Sequence, residues 1–202
     1  MVKQGIAIVT WSGGEEAFTT LRNSIPDISY PIIVIVNDGF NAEWTNTWIE
    51  SGRDYFIKLT GDHYEIGAIG AILDFTNWDE FIFLQDTFEI KNADIFRKLF
   101  EDYPNQSVAY NPHFQMYFGK FRRIALNKIS FPEVNNKVDA VRQEDIFTKA
   151  YRAIEPVAIF NHAFVDQNFY GNYEERWGRK NLVLEDEYII KRKGTWDAAS
   201  QL

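Results

Sequence analysis

Three short runs in this chain contain no polar residue: Ile6-Ala7-Ile8-Val9, Ile32-Ile33-Val34-Ile35-Val36 and Phe81-Ile82-Phe83-Leu84. A strand with one wet face alternates apolar and polar residues. A strand without alternation is buried on both faces, as in a parallel sheet covered by helices. Helical patterns fill the intervals. Glu15 to Asn23 follows Ser12-Gly13-Gly14 and sets Ala17, Phe18 and Leu21 on one side. Asn41 is placed to cap a helix carrying Trp44, Trp48 and Ile49, with Gly52 where that helix should stop. Tyr55-Phe56-Ile57-Lys58-Leu59 reads as a further strand, and Glu65 to Phe75 as a helix whose small residues allow close packing on the sheet. Strands and helices thus alternate through the first part of the chain, which predicts right-handed crossovers and a parallel sheet.

The second half is less regular. Asp94 to Tyr103, Phe121 to Ile129 and Gln143 to Arg152 read as helices, and Ser107 to Tyr110 and Val157 to Phe160 as strands. After Phe164 the chain turns polar, basic and aromatic. The expectation is a single α/β domain over residues 1–202, with a Rossmann-like, mostly parallel central sheet flanked by helices and an irregular C-terminal tail. Residues 1–90 carry the regular alternation, 91–165 the less regular part and 166–202 the tail.

Charge narrows the partners. With 21 Lys and Arg against 29 Asp and Glu, the net charge is −8, which disfavours long-range capture of nucleic acid. No cysteine is present, so disulfides and thiolate metal sites are excluded. No apolar run approaches the ~20 residues of a membrane span and no signal-peptide pattern opens the chain, so the expectation is a soluble, cytoplasmic protein. Thr10-Trp11-Ser12-Gly13-Gly14 after the first strand does not match the dinucleotide-binding glycine fingerprint, and there is no Walker A sequence or nucleophile elbow.

In open α/β sheets, ligands bind outside the carboxyl ends of the strands, and three acidic sites lie at such places or near them. Val36-Asn37-Asp38-Gly39 ends the second strand. Its Asp38 is either part of a turn or an acceptor for a ribose or base N–H. Phe83-Leu84-Gln85-Asp86-Thr87 ends a later strand, where Asp86 is either a cap or a holder of a cation or sugar hydroxyl. Glu144-Asp145 reads as a helix start favoured by the dipole, or as a general base facing a cleft.

In their order these segments, with Phe121-Arg122-Arg123-Ile124-Ala125-Leu126-Asn127-Lys128-Ile129 between the last two, resemble the GT-A fold glycosyltransferases, most closely inverting family 2. The resemblance covers about residues 5–160 and implies a nucleotide-binding half over about residues 1–90 and an acceptor half over about 91–165. It implies a transferase that moves a sugar from a nucleotide-sugar donor, a UDP-sugar by preference, to an acceptor hydroxyl by a single inverting displacement. Thr10, Trp11 and Ser12 would lie on the first loop at the nucleotide, and Asp38 would read the base or ribose. Gln85, Asp86 and Thr87 would occupy the D-x-D position, and Asp145, beside Glu144, would be the base. This D-x-D is degenerate, with one acid where the family has two. Three readings stay open: Asp86 holds Mn²⁺ or Mg²⁺ together with the diphosphate, the enzyme is metal-independent, or activity is lost. His162 is a second candidate metal ligand. Arg176, Arg179, Lys180, Lys191 and Lys193 concentrate positive charge in the tail, where some GT-A enzymes close over the diphosphate. The acceptor would be a glycan, a lipid-linked sugar or a protein, with a homodimer able to complete its site. The alternative is a non-catalytic carbohydrate-binding or assembly protein on a degenerate GT-A scaffold.

Overall fold

The computed structural model describes residues 2–61, 63–110, 118–132, 134, 137–161 and 183–192. The chain runs through β1 (Gln4–Trp11), α1 (Glu15–Ser24), β2 (Ile32–Asn37), α2 (Thr45–Ser51), β3 (Tyr55–Lys58), α3 (Tyr64–Phe75) and β4 (Glu80–Gln85). It continues with β5 (Phe88–Ile90), α4 (Asp94–Glu101), β6 (Ser107–Ala109), β7 (Phe118–Arg122), α5 (Arg123–Leu126), α6 (Lys137–Ile154), β8 (Val157–Ile159), β9 (Val183–Glu185) and β10 (Ile189–Arg192). Among the described residues, seven strands form one sheet in the order β3-β2-β1-β4-β7-β6-β8, and three form a second in the order β5-β10-β9. In the larger sheet β1 pairs in parallel with β2 and β4, as do β2 with β3 and β6 with β8; β7 runs antiparallel to both its neighbours. The expected mostly parallel sheet is therefore present.

The apolar runs lack alternation because both faces are covered. Side chains alternate across a strand. Ile6, Ile8, Val34, Val36, Ile82 and Leu84 thus pack with Phe18 and Leu21 of α1 and Ile95, Phe96 and Leu99 of α4. Ala7, Val9, Ile33, Ile35, Phe81 and Phe83 point the other way, onto Ile66, Ile69 and Ile72 of α3 and Phe147 and Tyr151 of α6. On the first face Trp44 and Trp48 close over Phe18, with ring centres 5.3 and 5.1 Å away.

The structure differs from the sequence reading at several elements, and strand β5 (Phe88–Ile90) was not expected at all. Asn41 ends a 3-10 turn (Gly39–Asn41) rather than capping α2, although Gly52 does stop that helix in the left-handed region at φ 65°. Phe121 and Arg122 end strand β7 instead of starting a helix. Gly119 and Lys120 hid that strand. Lys120 is buried because its ammonium donates to the Tyr103 carbonyl at 2.6 Å and lies 3.6 Å from Glu80. Helix α6 begins at Lys137, six residues ahead of expectation. Finally, residues 183–192 of the expected tail form an antiparallel hairpin, with Lys191 opposite Phe88 of β5. Among the described residues, no helix is long and apolar enough to cross a membrane.

Candidate active site

Strand β1 lies between β2 and β4, so the direction of winding reverses between β1 and β4. A crevice opens outside the carboxyl ends of strands at such a reversal. Thr10 of β1 and Asp86, the residue after β4, meet there. The Thr10 hydroxyl donates to Asp86 Oδ2 at 2.7 Å, and the Asp86 amide donates to the Val9 carbonyl at 3.1 Å. Thr10 is 3% exposed and Asp86 9%. Burial disfavours the charged carboxylate and pushes the Asp86 pKa up to about 6, against the opposing pull of the Thr10 bond and of Lys191. The loop into α1 approaches this pair closely. A Cβ on Gly14 would stand 2.8 Å from Asp86 Oδ2 and would also strike Thr10 Oγ1.

Two more elements bring polar groups to the same place. Gln85 donates its side-chain amide to Glu65 Oε1, in the first turn of α3. Glu65 Oε2 is buried and has no hydrogen-bond partner among the described residues. From β10, Lys191 donates to Gln85 Oε1 at 3.1 Å and to Thr87 Oγ1, and its ammonium lies 4.2 Å from the centre of the Phe88 ring. Lys191 is 7% exposed, and burial holds its pKa down to about 7 despite the attraction of Asp86 and Glu65. Its inward aim follows from strand alternation, since Ile189 two residues earlier is fully buried in the core.

Of the residues singled out in the sequence, Thr10, Gln85, Asp86, Thr87 and Lys191 are thus gathered into one cluster. Glu65 joins it and was missed. The available signal was an acid in the first turn of a helix that follows a strand, which topology puts at the same sheet edge. Trp11 and Ser12 lie on the adjoining loop. The Trp11 ring covers Gly13 and is 45% exposed, and the Ser12 carbonyl accepts from Trp44 Nε1 at 2.8 Å. Asp38 follows β2, one strand away. It adopts the left-handed region (φ 51°), and its carboxylate accepts from Asn41 Nδ2 at 2.7 Å. Glu144 and Asp145 lie two turns inside α6 rather than at its start, which corrects the expectation of a helix-end dipole. Glu144 is buried, whereas Asp145 is exposed, pairs with Lys149 at 2.5 Å and is not joined to the cluster. His162, Arg176, Arg179, Lys180 and Lys193 lie outside the described residues.

Mg²⁺ and Mn²⁺ want oxygen ligands, carboxylates above all. Here the single acid of the 85–87 segment already takes the Thr10 hydroxyl, and the oxygens of Gln85 and Thr87 take the Lys191 ammonium. Among the described residues, no three Asp, Glu or His are grouped to hold a metal ion. A dication ~4 Å from an ammonium would be repelled by about 8 kcal/mol at an effective dielectric of ~20. The described residues do not fit a divalent cation, and His162, the second candidate ligand, lies outside them.

No protein-family model and no curated protein sequence matches the chain. Solved structures do. Residues 1–349 of TarS from S. aureus match with a TM-score of 0.58 at 12% identity, over 78% of this chain and 58% of that one. TarS has been solved with UDP and with UDP-GlcNAc. The mannosyltransferase PcManGT from Pyrobaculum calidifontis, solved with GDP-Man and Mn²⁺, matches with a TM-score of 0.58 at 12% identity, over 87% of this chain and 61% of that one. CMP:2-keto-3-deoxy-manno-octonic acid synthetase, solved with CTP, matches with a TM-score of 0.54 at 10% identity, over 78% of this chain and 89% of that one. The chain spans about three fifths of the length of the first two. Likeness at these identities is likeness of fold, and the chain has the GT-A fold.

Proposed function

We propose that this chain is a glycosyltransferase that moves a sugar from a nucleoside-diphosphate donor, a UDP-sugar, to an acceptor hydroxyl with inversion. The observation that carries the reading is the buried polar cluster of Thr10, Glu65, Gln85, Asp86, Thr87 and Lys191 at the winding reversal of a GT-A sheet. Buried charge costs stability, and an apolar filling would pack the same space without that cost. Groups kept there against that cost are placed for a ligand. Asp38 at the end of β2 accepts from the ribose or base, and Trp11 offers an aromatic face at the mouth of the crevice. The acceptor oxygen forms a bond to the anomeric carbon while the bond from that carbon to the β-phosphate oxygen breaks. The electron pair of the broken bond leaves with the nucleoside diphosphate, and the acceptor proton passes to a carboxylate. We assign that carboxylate to Asp145, which is open to solvent and, among the described residues, pairs with Lys149 of its own helix.

Fold neighbours solved with UDP-GlcNAc and GDP-Man support a nucleotide-sugar donor. A nucleotidyltransferase, the other chemistry among the neighbours, is disfavoured by the first loop. Residues 10–16 carry Glu15 and Glu16 and no Lys or Arg to hold a triphosphate.

The test is a thermal-shift panel of UDP, GDP, CDP, ADP and CTP. A ligand at 100 times its Kd stabilises by about 2.7 kcal/mol, which is a rise of roughly 5–10 °C at this chain length. A rise with UDP is expected. No rise with any nucleotide refutes the reading in favour of a non-catalytic protein, and a rise with CTP alone points to nucleotidyl transfer. Asp145→Asn should lower sugar transfer by ~10²–10⁴-fold with UDP affinity unchanged. Transfer within a few-fold of wild type removes Asp145 as the base.

A further inference from the structure

The 85–87 segment just past β4 is already engaged by a cation, and that cation belongs to the protein. Lys191 reaches Gln85 Oε1 and Thr87 Oγ1, the side chains on either side of Asp86, from a hairpin about a hundred residues away in sequence. The hairpin is firmly seated. Its turn residue Asp186 accepts from the Tyr188 and Ile189 amides at 2.8 and 2.9 Å, from Asn161 Nδ2 at 2.7 Å and from the Tyr110 hydroxyl. The Tyr188 carbonyl accepts from the Lys91 amide at 2.8 Å, just beyond β5. Strand pairing with β5 then fixes Lys191 opposite Phe88. An inward position next to Ile189 would ordinarily be apolar, and a long, strongly hydrated amine is a poor choice for packing alone.

We propose that the Lys191 ammonium stands where a divalent cation would stand in a metal-dependent GT-A enzyme, so that it neutralises the departing diphosphate and transfer proceeds without a metal. The inference rests on the nucleotide-sugar reading given above. As the bond between sugar and phosphate breaks, its electron pair settles on the β-phosphate oxygen. Lys191 meets that oxygen with a charge-assisted hydrogen bond and forms no covalent bond of its own. Asp86 then serves to hold the ammonium and the first loop rather than to ligate a metal. Its charge, with that of Glu65, attracts Lys191.

The experiment titrates UDP and UMP into the full-length chain by calorimetry, with excess EDTA and separately with Mn²⁺, for wild type, Lys191→Met and Lys191→Arg. Wild type should bind UDP with the same affinity, within about twofold, in EDTA and in Mn²⁺. Lys191→Met should weaken UDP roughly tenfold or more while leaving UMP, which lacks the β-phosphate, within about threefold. Lys191→Arg should recover part of the loss. A merely structural lysine would weaken both nucleotides together, and that result overturns the proposal. If Lys191→Met does not fold, the wild-type arm still decides. UDP binding that EDTA abolishes and Mn²⁺ restores overturns the ammonium role while leaving the transferase reading standing. Absence of UDP binding under every condition removes both.

Discussion

Replacing Asp86 with Asn should make the ligand-free protein more stable at pH 8 and change little at pH 4. Burial pushes the folded-state pKa of Asp86 up to about 6, from an unfolded value of ~3.9. Between those two values the unfolded chain has released its proton while the folded chain retains it. The folded state therefore binds more protons, and stability falls as pH rises through the window. A shift of about two units at 1.36 kcal/mol each sets a ceiling of about 3 kcal/mol against the fold above pH ~7. The amide removes that charge and keeps its oxygen as acceptor for the Thr10 hydroxyl. Lys191 loses an attraction, but its proton is already nearly gone at pH 8 because burial holds it to about 7. The expected gain is about 1–3 kcal/mol at pH 8, or roughly 2–10 °C in Tm. Thermal melts of both proteins between pH 4 and 8 measure it. A variant no more stable than wild type at pH 8, or one whose advantage is the same at both ends of the range, refutes the reasoning.

Three further outcomes follow from the same geometry. Lys191 has a folded pKa lowered to about 7, so wild-type stability should rise with pH between about 7 and 10, where only the unfolded chain is still protonated. Lys191→Met should flatten that rise in urea titrations. Gly14→Ala drives a methyl into Thr10 Oγ1 and Asp86 Oδ2, so it should cost about 1–3 kcal/mol and abolish the thermal shift produced by UDP. Asp54→Ala leaves the Arg22 guanidinium, bound at 2.6 and 2.9 Å and 3% exposed, buried beside an empty place. It should cost about 3–5 kcal/mol, whereas Asp27→Ala at the exposed Arg53 pair should cost about 1 kcal/mol or less by the same melts.

The central strands were legible because full burial leaves an unambiguous mark. Nothing polar stands in the middle of β1, β2 or β4, where residues 6–9, 32–36 and 81–84 are buried on both faces; buried polar residues such as Thr10, Asn37 and Glu80 come only at the strand ends. What the runs alone could not say is which residue faces which layer. The split of Ile8 from Val9 appears only once helices are assigned to faces. Strands β5, β7, β9 and β10 left weaker marks. They are short and antiparallel, and two of them bury a lysine whose partners come from elsewhere in the chain, Glu80 for Lys120 and Gln85 for Lys191. The site was half legible for the same reason. Asp86 and Thr10 flank apolar runs and so were found by position. Lys191 was noticed only as part of a basic stretch, and Glu65 only as the start of a packing helix. Their meeting depends on strand order and register, which a single sequence does not display.

The hairpin that carries Lys191 also bears on how tightly the site can bind. Segments open locally at less cost than the whole molecule unfolds, and opening this one lets a buried ammonium regain its water. The lysine thus works against its own strand pairing until an anion arrives. The apparent affinity for a nucleotide is the intrinsic affinity scaled by the fraction of molecules with the hairpin closed. Amide exchange at Ile189, whose N–H is held by Asp186, reads that fraction directly. The exchange should slow on adding UDP, by a factor that grows as the hairpin is weakened elsewhere.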